Sequence, residues 1–285
     1  VLVRQWSGWE SLDFQQSGRY GTRILDLFRF AQSLAAEERG SMLVNAFIAW
    51  TPLHVINVLN TVVNYFPNEK NDLYLYDEFS GAEKLYPLLQ QTHLFHHVSL
   101  IPHDEIGGTV EKMSSLLFNR QKFVSTDAYD HIFIQGENYF AKLLYGQSRK
   151  KNPEVKLHYI EDGLGAYVGS PVIRNDNRGN RLVKQLNRHS IFHAAIESFY
   201  VYEPNLVTVK EKGDYFALPK LTDDNPALNI VKHVFSITTS VSKIHDCVIY
   251  FDQPFLADGF SIDEGALMQE LQVMIPDEKL IVKYH

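Results

Sequence analysis

From residue 43 onward, short apolar runs of strand length alternate with stretches whose apolar residues recur at helical spacing. That alternation predicts parallel βαβ units. Residues 43–49 read as a fully buried strand, after which Thr51 supplies an N-cap and Pro52 a first helical residue for a helix carried by Val55, Ile56, Leu59, Val62, Val63 and Phe66. Further strands are expected at 73–76, 98–101, 131–134, 157–160 and 199–202, with helices around 110–117 and 139–144. Residues 175–188, rich in Arg and Asn, read as a mobile surface loop leading into a helix.

A second series begins at 247–251, another buried strand, followed by the turn Asp252-Gln253-Pro254. Ser261 and Glu264 have capping-box spacing for a helix through Leu267, Leu271 and Met274, and 280–284 is the next strand. The polar stretch 220–229, with Asp223, Asp224 and Pro226, reads as the connection between domains. The expected architecture is α/β, with two Rossmann-like domains facing a cleft and the second truncated. Residues 1–41 form an extension outside the fold, 42–240 the first domain and 241–285 the start of the second. The chain stops in or just after a strand, which predicts that a C-terminal portion is missing.

The formal net charge of −7 argues against a nucleic-acid binder, which would carry a basic face. No apolar run approaches the roughly 20 residues that span a bilayer. A single cysteine, Cys247, excludes an internal disulfide framework and fits a reducing compartment. With 15 Tyr and 18 Phe the chain can supply stacking surfaces for rings such as sugars, although most will be ordinary core.

The candidate chemistry centres on Glu161-Asp162-Gly163, where an apolar strand runs out into two carboxylates and a glycine. An open α/β sheet keeps its ligand site at such strand ends. The plainer reading is that the two acids terminate a strand and open a polar loop. Gly163, Gly165 and Gly169 nearly spell a dinucleotide fingerprint, but the residues that follow are polar rather than an apolar helix, so a nicotinamide or flavin site is not expected. There is no Gly-x-Ser-x-Gly elbow and no phosphate loop. His93, His96 and His97 lack a third ligand at a recognisable spacing, and Asp223-Asp224 and Asn175-Asp176-Asn177 read as solvated loops, so no metal is expected. Glu161 or Asp162 could instead work with His285 at a strand end of the second domain. The carboxylate would take a proton from an acceptor hydroxyl, and the histidine would stabilise a departing phosphate.

Three passages, Ala49-Trp50-Thr51-Pro52-Leu53-His54, Glu161-Asp162-Gly163 and Tyr284-His285, together resemble the bacterial lipooligosaccharide sialyltransferases of glycosyltransferase family 52 and, more distantly, the capsular polysialyltransferases. The resemblance implies a GT-B fold. It also implies inverting transfer of sialic acid from CMP-sialic acid to a cell-surface glycan, without a metal and with no cofactor besides that donor. Glu161 or Asp162 would be the general base and His285 would contact or protonate the CMP phosphate, with Thr51, Pro52, Gly163 and Gln253 along the substrates. Strand alternation sets Glu161 with Leu157 and Tyr159 on one face and Asp162 with Ile160 on the other, so one acid faces the cleft. Glu161 is the first choice, and Asp258 is the base if the motif falls at Ala257-Asp258-Gly259 instead. The family motif continues past His285 with a proline and a later Ser/Thr motif, so this piece is expected to be inactive by itself. The implied partners are a nucleotide-sugar donor and a glycan acceptor, in the cytoplasm, with peripheral contact at the inner face of a bacterial membrane. Two other readings stay open: a GT-B transferase for another nucleotide sugar, and a non-catalytic Rossmann-like domain that holds a glycan or partner.

Overall fold

The first apolar run forms β1 (Val44–Ala49), and Thr51 with Pro52 starts α1 (Pro52–Tyr65) directly after it. In this computed structural model the described residues are 42–102, 108–118, 128–163, 165–168, 178–237, 247–251, 263–275 and 279–283. The chain continues through β2 (Lys70–Asp77), α2 (Ala82–Gln91), β3 (His97–Pro102), α3 (Thr109–Phe118), β4 (His131–Ile134), α4 (Tyr139–Lys151) and β5 (Lys156–Ile160). Then come α5 (Gly165–Val168), α6 (Arg178–Leu186), β6 (Ile196–Val201), β7 (Asp214–Ala217) and α7 (Pro226–Val234).

Seven strands make one sheet in the order β3-β2-β1-β4-β5-β6-β7, and every neighbouring pair is parallel. Side-chain alternation sorts the strands into two cores. Ala46, Ile48, Tyr74, Ile132, Ile134, Leu157 and Tyr159 face α4, while Phe47, Ala49, Leu73, Phe133, Ile160 and Tyr200 face α1, α2 and α7. The result is an α/β domain with helices on both faces of a parallel sheet, a Rossmann-like arrangement. Strand order reverses between β1 and β4, so their C-terminal ends flank the crevice where sheets of this type hold ligands.

Several local expectations are corrected. Residues 220–229 do not bridge two domains: Asn225 caps α7 and donates to Asn60 Oδ1 of α1 at 2.9 Å, and α7 buries Val231 and Val234 in the core. The division between compact units falls instead between Ile237 and Thr238. The stretch expected as a loop leading to a helix is helical from Arg178. Two elements carry little periodic signal: α2, which contains Pro87 and buries only Ala82 and Leu89, and β7, which has four residues, none of them buried. In the second unit β8 (Cys247–Phe251) pairs in parallel with β9 (Lys279–Lys283), and α8 (Glu264–Met274) lies between them in sequence. Asp263 caps α8, accepting from Ala266 N–H at 3.0 Å; the expected cap, Ser261, lies outside the described residues.

Candidate active site

β5 delivers Glu161 and Asp162 to the crevice side of the sheet, and their environments are opposite. The side chain of Glu161 turns into the protein and the residue is 8% exposed. Its Oε2 accepts from Tyr202 N–H at 2.8 Å and from the hydroxyl of Tyr167, which follows in the single turn α5. Tyr167 in turn accepts from Glu203 N–H at 3.1 Å. Burial, and then the bond to Glu161, push the Tyr167 phenol well above its usual range, so it stays a donor. The carbonyl of Glu161 accepts from Asn57 Nδ2 of α1 at 2.8 Å, and Asn57 Oδ1 accepts from Tyr202 O–H at 2.9 Å. Glu161 therefore ties β5, α1, α5 and the end of β6 together.

Asp162 behaves differently. Its side chain is 44% exposed, and one oxygen is bonded to Nε2 of His54, a ring that is itself completely buried. Trp50 N–H donates to His54 Nδ1 at 3.4 Å, which leaves Nε2 as the ring nitrogen that donates to Asp162. The Trp50 indole packs edge-on against the same imidazole at 4.2 Å between centroids. Behind them Gln135 Nε2 donates to the His54 carbonyl at 3.0 Å, and Asp162 N–H donates to Tyr159 O–H at 3.2 Å. Burial pushes the Tyr159 phenol above its usual range.

Two glycines leave the mouth open. Gly136, just past β4, has φ +147°, and a Cβ there would lie 3.4 Å from the Trp50 ring and 3.6 Å from Asp162 Oδ2. Gly163 has φ +88° and turns the chain away immediately after Asp162. The ends of β1, β4 and β5 thus converge on one solvent-reachable carboxylate backed by a buried imidazole of fixed tautomer. That unit can accept a proton from a bound hydroxyl while the histidine bond steadies the acid's orientation.

Of the residues expected to touch substrate, Thr51 is the N-cap of α1: its hydroxyl accepts from His54 N–H at 3.2 Å, and Pro52 occupies the first helical turn. They stand at the mouth as the helix start that orients His54. Gln253, Asp258 and His285 lie outside the described residues. The preference for Glu161 as the accessible acid is reversed, because its carboxylate is enclosed by protein donors whereas Asp162 faces solvent. His54, Trp50, Gln135 and Gly136 had no assigned role. The signal that could have exposed His54 is its place at the third helical position after Thr51, between the strand end and the buried stripe of α1.

No family model matches the chain, and no curated protein matches it. Seven solved chains match. Among them is a lysine-to-alanine mutant of O-ureido-L-serine synthase with O-ureido-L-serine bound, 16% identical over 52% of this chain and 53% of that one, with a TM-score of 0.16. The match spans about half the length of that protein, and at this TM-score it carries no argument about fold or chemistry.

Proposed function

We propose that this chain carries the acceptor-side domain of a GT-B glycosyltransferase that moves sialic acid from CMP-sialic acid to a glycan hydroxyl. The observation that supports the reading is the exposed Asp162 carboxylate held by buried His54 at the strand-order reversal. In the proposed reaction the acceptor oxygen attacks the anomeric carbon of the donor. The bond from that carbon to the phosphate oxygen breaks, CMP departs with the electron pair, and the hydroxyl proton passes to Asp162. His54 Nε2–H keeps one Asp162 oxygen occupied, directing the other toward the acceptor. Glu161 is a structural acid in this scheme. The family resemblance would assign the departing phosphate to His285.

The test is release of CMP from CMP-sialic acid, with a galactose-terminated acceptor and EDTA, by the natural full-length protein and its Asp162→Asn and Glu161→Gln variants. The reading expects metal-independent release that Asp162→Asn abolishes, with Glu161→Gln acting mainly on stability. Loss through Glu161→Gln alone, at unchanged fold, would make Glu161 the base. Absence of release from the folded protein, with release from UDP- or GDP-sugars, would transfer the same site to another donor.

A further inference from the structure

The turn between β1 and α1 puts two apolar side chains beside the exposed acid. Trp50, the first residue past β1, is half-buried, and Leu53, in the first turn of α1, is 43% exposed. A Cβ at Gly136 would stand 3.4 Å from the six-membered ring of Trp50 and 3.6 Å from Asp162 Oδ2. That oxygen is the one not bonded to His54, whose imidazole meets Oδ1. A group that reaches Oδ2 over Gly136 therefore also touches the indole. At the residue after Asp162, a Cβ on Gly163 would lie 3.9 Å from Leu53 Cδ2. Each glycine thus leaves room for a ligand between an apolar side chain and the carboxylate.

Apolar walls beside an ionised acid are costly, because they strip water from it. Packing against His54 gives Trp50 a role inside the protein, but it gives Leu53 none. A ligand that presents an apolar patch and a hydroxyl together uses both walls and the acid. An H–C–O–H unit of a pyranose has the required span: its carbon packs about 4 Å from an aromatic carbon, and its hydroxyl bonds a carboxylate oxygen at about 2.7 Å. A water molecule or an acyclic polyol offers no flat C–H face to the ring. An ammonium group would suit the acid, but cation sites of this kind enclose the charge in several rings, and Leu53 supplies none.

We infer that Trp50 and Leu53 form the platform for the acceptor sugar, a neutral pyranose laid with its C–H face against the indole and one hydroxyl on Asp162 Oδ2. They are specificity-determining residues: the carboxylate takes the proton, and the platform selects the ring that presents it. An anionic sugar would bring a second negative charge against Asp162, so the site favours a neutral one. The inference rests on the reading of Asp162 as the acid that meets an acceptor hydroxyl, and not on the identity of the donor.

The experiment is saturation-transfer NMR, beside acceptor kinetics, on the natural full-length protein with lactose as the probe, with and without CMP. Mannitol and choline are the controls. Lactose should bind, and both controls should bind about tenfold more weakly or worse. Trp50→Leu should raise the lactose Kd and the acceptor KM about tenfold with the donor KM unchanged, and Trp50→Phe, which keeps a ring, should recover most of that loss. Leu53→Ser, at an exposed position, should raise both about fivefold with an unchanged thermal melt. A Trp50 that only supports His54 would lower kcat and leave the lactose Kd where it was, which would overturn the inference. Equal binding of mannitol, tighter binding of choline, or no lactose binding by the folded parent would overturn it too. Failure of the transferase reading looks different: lactose still binds through Trp50, and no donor is turned over.

Discussion

Polar side chains are buried at both ends of the seven-stranded sheet, and the two clusters differ in one respect. Toward the start of the strands, Tyr129 O–H donates to Asp72 at 2.9 Å and meets Tyr74 O–H at 2.7 Å, while His131, His158 and Ser198 follow one another at 2.7 Å each. Asp72 is 1% exposed and His158 4%. At the crevice end, the chain from Trp50 through His54 finishes on Asp162, which is 44% exposed. Both clusters stiffen the sheet, but only the second leaves a charged oxygen in reach of a ligand. Burial marks a group that the fold needs; exposure at the end of a buried chain marks a group that chemistry can use.

Substitutions at the two ends can break this contrast. Asp162→Asn should lower kcat about a hundredfold to ten-thousandfold with a small change in melting temperature, as expected for loss of a general base. A comparable loss of fold would return Asp162 to the structural class. His54→Leu should lower kcat on the order of tenfold or more, because a hydrogen bond to a charged group is lost. His54→Gln keeps a donor on that side and should recover part of the rate. If both variants lose activity equally, the orienting role fails. At the closed end, Tyr129→Phe should cost about 1 to 3 kcal/mol of stability in denaturant melts by stranding Asp72, with kcat unchanged. A drop in kcat there would link the two ends.

The smallest expected effect is a pH dependence. Burial first, and then His131 and Lys156, hold His158 well below its usual 6.5. The folded state therefore resists protonation that the unfolded chain accepts. Stability should be complete above about pH 6.5 and fall as pH drops below it, with a slope of at most about 1.4 kcal/mol per pH unit from this group. His158→Gln should flatten that part of the profile, and an unchanged slope would assign it to other groups.

Much of the first unit was legible because its strands are buried on both faces. The strand expected at 131–134 forms as His131–Ile134, and Thr51-Pro52 begins α1 as its cap chemistry dictates. What escaped was held by tertiary contacts. The segment at 220–229 looks like a linker by composition, yet Asn225 donates to Asn60 Oδ1, and Asn60 in turn donates to the Pro219 carbonyl at 2.8 Å. The site was half legible in the same way. Adjacent acids at a strand end located the crevice, and alternation said that they would separate. The acid that would be enclosed depended on Tyr167 and the backbone of Tyr202, 6 and 41 positions away. Nothing local could reveal that.

The strand order also governs when the site can exist. Gln135 reaches back to Ile48 across 87 positions, and His54 to Asp162 across 108. Closing such loops is slow relative to the local pairing of β1 with β2 or β4 with β5. The carboxylate acquires its imidazole only when the two halves of the sheet join along β1 and β4. Recovery of activity during refolding should therefore trail the appearance of secondary structure and report the closing of that seam.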